Sequence, residues 1–329
     1  MKKLMNRPDA FVDEMLEGLC AAHPSLEQTG PGGRVIRRKG AAPKDRVGVV
    51  SGGGSGHLPL FTGYVGAGLL DACAIGDVFA GPSVGACEAA IRAAHGGRGV
   101  LCLYGNYGGD RMNFDMAGEN LEDEGIETAT VLGTDDIASA GPEEMKKRRG
   151  VAGIIYAYKI AGAKAAEGAE LADVARVAAK AVEHCRTIGC ALSPCLVPGA
   201  AAPSFTLGEN EIEMGMGIHG EPGIWRDSLR DADSIAEEMV RRLLEDRHPG
   251  KRASVLVNGL GATPLEEQFI IYRRVAKLLA EEGISIVRPL VGNYTTSMEM
   301  AGVSISILAL DDELEALLSA PAECPFWKV

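Results

Sequence analysis

Aromatic residues are scarce in this sequence, since they make up 5% of its 329 residues. Long apolar runs are missing too: no stretch of about 18 uninterrupted apolar residues occurs, so we expect no transmembrane helix. Asp9 and Asp13 interrupt the N-terminal region before a secretory signal core could form. Basic residues are in deficit, because 33 Lys and Arg against 45 Asp and Glu leave a formal charge of −12. This charge argues against binding to nucleic acids or anionic membranes, and we expect a cytoplasmic protein.

The remaining composition is that of a globular protein with a sizeable core. Hydrophobic residues make up 46% of the chain and charged residues 24%, which argues against intrinsic disorder. Dividing the length by roughly 150 residues per domain predicts about two domains. The 43 glycines indicate many tight turns and close approaches of the backbone.

The eight cysteines show no C-x-x-C pair and lie mostly in apolar runs, which favours buried, reduced thiols. A zinc site built from His184, Cys185, Cys190 and Cys195 would have a spacing that fits no common zinc pattern. We therefore predict no metal site in this chain.

Short β-like runs alternate with longer helical ones along the whole chain. Predicted strands cover 46–50, 72–75, 99–104, 128–132, 191–196, 211–217, 254–258, 284–290 and 303–308. Predicted helices cover 84–95, 171–186, 234–246 and 264–282, the third opening with a capping box at Ser234. This alternation predicts two α/β domains, each built on a mixed or largely parallel sheet flanked by helices.

Two further predictions concern the organisation of the chain. A proline-rich segment at 189–203 places the boundary between an N-terminal domain, 1–188, and a C-terminal domain, 189–329. The charge run at 143–149 is interpreted as a solvated helix face rather than a binding patch.

A glycine-rich loop at 51–59 follows the first predicted strand and carries His57. Backbone N–H groups of such a loop can hold an oxyanion or hydroxyl groups. The loop is not a phosphate-binding P-loop, because His57 and Leu58 stand where that motif needs Lys and Ser or Thr. The alternative is a flexible connector.

Two other segments carry candidate reactive groups. Asp110 follows a strand and a glycine turn at 104–114, where it would either cap a helix or act as a base. His219 follows the predicted strand at 211–217 and lies between glycines. Its neutral imidazole could attack an electrophile, or it could be a satisfied structural histidine.

In this order and spacing, the segments 51–59, 106–114 and 217–223 resemble the dihydroxyacetone kinase K-subunit family. Supporting matches lie at 76–83, 257–261 and 298–306, so that the resemblance covers nearly the whole chain.

The resemblance implies a kinase subunit that holds a short ketose covalently, as a hemiaminal. His219 matches the histidine that adds to the carbonyl carbon, and Asp110 the acid that accepts the proton of the reacting hydroxyl. His57 matches a second histidine that hydrogen-bonds the substrate. The positions matching the pocket lining are Gly53, Gly54, Ser83 and Gly105.

The resemblance also implies where the nucleotide is bound. K subunits carry no nucleotide site, so ATP, or ADP with Mg²⁺, is expected on a separate L-type subunit. A phosphotransferase-system phosphoprotein would act through that subunit, and the family further implies a homodimer.

Three positions depart from the pattern of many dihydroxyacetone-specific members, which have Glu at Leu58, Lys at Gly105 and Thr at Gly108. The smaller side chains at 105 and 108 open volume, which favours a larger ketose such as erythrulose. Two alternatives remain open: a non-catalytic ketose-binding regulator, and, ranked last for want of a dinucleotide fingerprint, a nucleotide-dependent oxidoreductase.

Overall fold

The computed structural model describes residues 2–40 and 42–329, which form two compact units. The first unit comprises the described residues up to Gly133 together with Ile155–Lys180 and Ala316–Val329. The second comprises Thr134–Ile154 and Ala181–Glu315. Each unit contains a six-stranded sheet.

The sheet of the first unit is mixed. Its strands are β1 (Leu26–Thr29), β2 (Val35–Arg38), β3 (Arg46–Gly54), β4 (Ala72–Gly76), β5 (Gly97–Gly105) and β6 (Thr128–Gly133). They are arranged in the order β1-β2-β4-β3-β5-β6. The four strands from β4 to β6 in this order are parallel, whereas β1 and β2 pair antiparallel. Three helices lie in the same segment of the first unit: α1 (Phe11–Ala22), α2 (Val84–Ala94) and α3 (Gly108–Glu122).

Small side chains let α2 pack closely on this sheet. The Ser83 hydroxyl caps the helix by accepting a hydrogen bond from the backbone N–H of Ala86 at 3.3 Å. The helix buries mainly alanines against β2, β3 and β4. β3 is buried along its whole length after Arg46, as expected for a central parallel strand covered on both faces.

The sheet of the second unit is mostly antiparallel. Its strands are β7 (Cys185–Ser193), β8 (Glu211–Met214), β9 (Trp225–Ser228), β10 (Arg252–Gly259), β11 (Ser285–Gly292) and β12 (Ala301–Ala309). They are arranged in the order β11-β10-β12-β7-β8-β9, and only β10 and β11 pair parallel. α6 (Ala232–Asp246) and α7 (Leu265–Glu281) lie within this unit. The other helices, α4 (Ile154–Ala166), α5 (Leu171–His184) and α8 (Asp312–Ser319), each contain residues of both units. α6 and α7 pack against this sheet and bury its aliphatic core.

The predicted fold class is confirmed, because both units are α/β with mixed sheets and flanking helices. Every predicted strand has a counterpart, although the one predicted at 191–196 begins earlier, at Cys185. The four-residue strands β1, β2 and β9 were not predicted, since they are short and largely polar.

The predicted boundary between residues 188 and 189 falls inside β7 and differs from the division into compact units. β7 runs on through Gly189 because it pairs with β12 over its whole length. The chain moreover passes between the units three times within helices, in α4, α5 and α8, so neither unit is one continuous segment.

One local prediction is wrong and another holds only in part. α6 is capped by Asp231, whose carboxylate accepts from the backbone N–H of Ser234, so Ser234 is not the N-cap residue. The charge run is exposed at positions 143, 144, 146 and 147, as predicted, but Arg148 is fully buried and its guanidinium pairs with Asp246.

All eight cysteines are free thiols, and six of them are buried. Burial raises the pKa of the Cys102 and Cys190 thiols to about 12, which keeps them protonated and unreactive. Among residues 2–40 and 42–329, no group of three His, Cys, Asp or Glu side chains is placed to hold a metal ion. Within the same residues, no helix combines the length and the hydrophobicity needed to cross a bilayer.

Candidate active site

Four parallel strands of the first unit end in glycine at one edge of the sheet. Gly54 of β3 pairs with Gly76 of β4, and Gly105 of β5 pairs with Gly133 of β6. The carboxyl ends of parallel strands are where ligands bind in open α/β sheets, because loops and helix N-termini meet there. We call this the glycine edge.

The glycine-rich loop is held in place by its neighbour, the segment 77–83. The backbone N–H of Gly56 donates to the carbonyl of Val78 at 2.7 Å. A Cβ on Gly54 would lie 2.5 Å from the same carbonyl oxygen, so only glycine allows this approach. The His57 side chain is 1% exposed and stacks on Phe79 with ring centroids 5.2 Å apart. The loop is therefore packed, which argues against a flexible connector.

Asp110 lies in the first turn of α3, on the other side of the segment 77–83. The N-cap position of α3 is Tyr107, so Asp110 is not the capping residue. It is 9% exposed, and a Cβ on Gly81 would lie 2.9 Å from its Oδ1 atom. Asn113, one turn further on, donates to the carbonyl of Pro82 at 2.7 Å. A carboxylate in this first turn also benefits from the positive end of the helix dipole.

Six of the seven predicted site residues belong to this region of the first unit. Gly53 and Gly54 end β3, Gly105 ends β5, and Ser83 caps α2 at the end of the segment 77–83. The segment 77–83 thus contacts the loop that carries His57 and also approaches Asp110.

His219 belongs to the second unit. It lies in a turn between β8 and β9, in which Gly220 donates to the carbonyl of Gly217 at 3.1 Å. The Ser297 hydroxyl donates to the carbonyl of Ile218 and anchors the turn to the unit. The His219 side chain is 21% exposed, so its ring can be reached from solvent.

Glu221 binds His219 at two points. One carboxylate oxygen accepts from the backbone N–H of His219 at 3.0 Å, and the other lies 3.0 Å from its Nδ1. Burial raises the pKa of Glu221, but the hydrogen bond and charge of His219, with a smaller contribution from Arg149, outweigh it and lower the pKa to about 2. Glu221 is therefore ionised at neutral pH.

A second carboxylate supports this pair through an arginine. Arg149 Nη1 lies 3.9 Å from the carboxylate of Glu221, and its Nε donates to Asp136 at 2.9 Å. Burial raises the pKa of Asp136 and Arg149 opposes that rise, which leaves the pKa at about 6.

No sequence pattern predicts a role for Glu221, Arg149 or Asp136. A carboxylate two residues after a glycine-flanked histidine is a local signal that could have identified Glu221. No local signal exists for the other two, because they are brought to Glu221 only by folding.

The sequence matches the family described as the Dak1 domain over residues 17–326. It is 45% identical to the dihydroxyacetone-binding subunit DhaK of PTS-dependent dihydroxyacetone kinase 2 from Listeria innocua, over the full length of both chains. It is 44% identical to the L-erythrulose kinase of Pectobacterium atrosepticum, of which the chain spans 56%.

Two solved structures of related proteins have a similar fold. The native dihydroxyacetone kinase of C. freundii superposes with a TM-score of 0.91 at 34% identity, covering 99% of this chain and 60% of that one. The dihydroxyacetone kinase operon co-activator DhaQ superposes with a TM-score of 0.89, also at 34% identity, covering 95% and 97% of the two chains.

Proposed function

This chain belongs to the Dak1 domain family, the family of the dihydroxyacetone kinase K subunits, and from that membership we propose that it is the ketose-binding subunit of a kinase. In this proposal His219 tethers the ketose as a hemiaminal while a terminal hydroxyl is phosphorylated. The observation that carries the proposal is the accessible His219 ring, held in a glycine turn beside an ionised carboxylate.

A histidine tether explains selection for ketones. The lone pair of a ring nitrogen adds to the carbonyl carbon, whereas a polyol carbon offers no electrophile. The attack needs the neutral form of the ring, because only an unprotonated ring nitrogen carries a lone pair.

The residues at the glycine edge supply the remaining proposed roles. Asp110 accepts the proton of the hydroxyl that receives the phosphoryl group, as a general base. His57 donates a hydrogen bond to the substrate, and its stacking on Phe79 fixes the direction of that bond. Backbone groups of Gly53, Gly54 and Gly105, with the Ser83 hydroxyl, line the ketose-binding surface.

The ketose we propose is larger than dihydroxyacetone, with four-carbon erythrulose as the best candidate. Gly108 opens α3 two residues before Asp110, and a Cβ there would meet no heavy atom within 4 Å. Many dihydroxyacetone-specific members have threonine at this position, which would occupy that space. The similarity to an erythrulose kinase supports the same choice.

The phosphoryl group would come from a separate subunit. The similar Listeria innocua chain is named as the dihydroxyacetone-binding subunit of a PTS-dependent kinase. We therefore propose an L-type partner that carries ATP, or ADP with Mg²⁺ that is rephosphorylated by a phosphotransferase-system protein, and a homodimer of the present chain.

The test of the tether is ¹³C NMR with ketose labelled at the carbonyl carbon. Wild-type protein is expected to convert the carbonyl signal of dihydroxyacetone and erythrulose into that of a tetrahedral carbon. The variant His219→Ala is expected to leave the carbonyl signal unchanged. The tether would be refuted if the wild-type spectrum showed no new signal with dihydroxyacetone and none with erythrulose, each at saturating concentration.

A ketose-binding regulator is the second candidate, and the similarity to the co-activator DhaQ favours it. Both candidates bind ketose, so binding does not separate them. The presence of His57, Asp110 and His219 together favours catalysis. Phosphorylated ketose formed by the chain with an L-type subunit and its phosphoryl donor would decide for the kinase, and its absence for the regulator.

A further inference from the structure

Glu221 directs both of its carboxylate oxygens at one residue. Oε2 accepts from the backbone N–H of His219 and Oε1 faces the ring atom Nδ1, each at 3.0 Å. The same carboxylate therefore shapes the turn and orients the imidazole ring.

An ionised carboxylate can only accept hydrogen bonds, so the proton of the neutral ring must lie on Nδ1. A neutral imidazole has one ring proton, and Nε2 then keeps its lone pair. Glu221 is an ionised carboxylate beside the neutral ring as well, because the hydrogen bonds from the His219 backbone and ring and the charge of Arg149 favour the carboxylate over the neutral acid.

The position of Glu221 is fixed from two sides. A Cβ on Gly217 would lie 2.1 Å from Oε2, so the carboxylate occupies the space that any other residue there would need. On another side, Arg149 holds its guanidinium near Oε2 while its Nε donates to Asp136.

From this geometry we propose that Glu221 is a positioning residue, which keeps the His219 proton on Nδ1 and so makes Nε2 the nucleophile. The inference rests on the proposed function, since it explains how the tether is activated. Glu221 does not touch the ketose in this scheme; it acts through the ring.

The step conserves atoms and charge. The Nε2 lone pair forms a bond to the carbonyl carbon, and the C=O π pair moves to the oxygen, which takes a proton from water and releases a hydroxide ion to the solvent. The ring then carries carbon on Nε2 and hydrogen on Nδ1, as a cation facing the Glu221 carboxylate. No atom of the ketose is lost, and the reverse step releases it intact.

Glutamine at position 221 should reverse the tautomer. The backbone N–H of His219 can only donate, so it takes the amide oxygen and leaves the amide NH₂ group facing Nδ1. Nδ1 must then accept, which places the proton on Nε2 and blocks attack. The equivalent Asp-to-Asn change beside the histidine of a serine protease costs about 10⁴-fold in kcat through the wrong tautomer.

The experiment compares wild type with Glu221→Gln, Glu221→Ala and the control Glu213→Gln. Glu213 is a second buried carboxylate near the turn, whose Oε1 accepts from the backbone N–H of Gly223 at 2.7 Å. The first measurement is the ¹⁵N NMR spectrum of the His219 ring without ketose. The second is the affinity for carbonyl-labelled dihydroxyacetone and erythrulose.

We expect the Nδ1–H tautomer in wild type and in Glu213→Gln, and the Nε2–H tautomer in Glu221→Gln. Ketose affinity should fall at least about 10-fold in Glu221→Gln and less in Glu221→Ala, where no group opposes the Nδ1–H form. A merely structural role predicts the reverse order, since glutamine has the shape of glutamate.

An unchanged tautomer in Glu221→Gln, or a larger loss in Glu221→Ala than in Glu221→Gln, overturns the inference. An absent adduct in wild type overturns the proposed function instead. The tautomer measurement needs no ketose and still decides the role of Glu221 in that case.

Discussion

Single residues divide the chemistry of this protein between capture and transfer. In the proposed function, His219 supplies a nitrogen for capture of a ketone, whereas Asp110, a buried carboxylate in the first turn of a helix, accepts a proton during transfer. Because the proposed roles are separate steps, a change at Asp110 should affect phosphoryl transfer without abolishing the tether.

Asp110→Asn tests this division. The amide keeps the size of the carboxylate but cannot accept the hydroxyl proton, so turnover with the L-type subunit should fall about 10²- to 10⁴-fold. The hemiaminal signal in the ¹³C spectrum should persist, because its formation depends on His219. Turnover equal to that of wild type would exclude Asp110 as the base, and His219→Ala serves as the control that loses both activities.

At the scale of elements, one carboxylate at the end of α6 joins three parts of the second unit. Asp246 accepts from the fully buried Arg148, with Nη1 at 2.9 Å from Oδ1, and also from Arg186 of β7. The Arg148 Nε additionally donates to the carbonyl of Ala140 at 2.8 Å. Two buried cations therefore share the carboxylate of Asp246.

Asp246→Ala should lower the free energy of unfolding by about 3–5 kcal/mol, because two buried guanidinium groups lose the carboxylate that they share. Asp233→Ala, on the same helix, removes an ion pair with the exposed Arg273 and should cost no more than about 1 kcal/mol. Urea unfolding followed by circular dichroism measures both. Equal losses in the two variants would show that the burial of Arg148 and Arg186 does not depend on Asp246.

The interaction of Asp246 with the two arginines also predicts how stability depends on pH. Burial raises the pKa of Asp246, but hydrogen bonds from Arg148 and Arg186 outweigh it and leave the pKa below its usual value. A carboxyl whose pKa is lowered by folding stabilises the protein above its unfolded pKa, and this contribution disappears as the pH falls through the folded pKa. The difference in stability between wild type and Asp246→Ala should therefore shrink in acid.

Local patterns predicted the elements that local sequence determines. α2 was predicted to within one residue of its end and β3 from its first residue, because an alanine-rich helix and a buried apolar run are visible within a short window. The end of β3 was missed, since its last residues are the serine and glycines of the predicted loop. Arg148 was misassigned to a solvated face, since its partner Asp246 lies 98 positions away. A role for Glu221 could not be predicted for a related reason, because it depends on how the folded turn places its carboxylate against the backbone and ring of His219.

The candidate site shows the same limit. The sequence indicated that the glycines at the ends of β3 and β5 belong to a loop and a turn. It did not indicate that these glycines lie along the same edge of one sheet. Their alignment depends on strand order, which places β4, β3, β5 and β6 side by side. Local sequence indicated a possible base at Asp110 and a possible nucleophile at His219, and the family resemblance supplied the proposed substrate and the role of His57.

At the scale of the whole molecule, substrate choice should follow the space beside Asp110. The chain matches a dihydroxyacetone-binding subunit along its full length and an erythrulose kinase over 56% of that enzyme, at nearly equal identity. Overall similarity therefore does not decide between a three-carbon and a four-carbon ketose. We propose that the larger one extends over Gly108, which is exposed and where a Cβ would meet no heavy atom within 4 Å.

We expect the wild-type chain, assayed with its L-type subunit, to have a higher kcat/KM for one erythrulose enantiomer than for dihydroxyacetone. Gly108→Thr should lower the value for erythrulose by roughly 10-fold, since the threonine side chain would occupy the space proposed for the fourth carbon and a change of one carbon discriminates to about that extent. Dihydroxyacetone lacks the extra carbon and serves as the internal control, because its value should change little. A wild-type preference for dihydroxyacetone, or an equal loss for both ketoses in Gly108→Thr, would show that this space does not select the substrate.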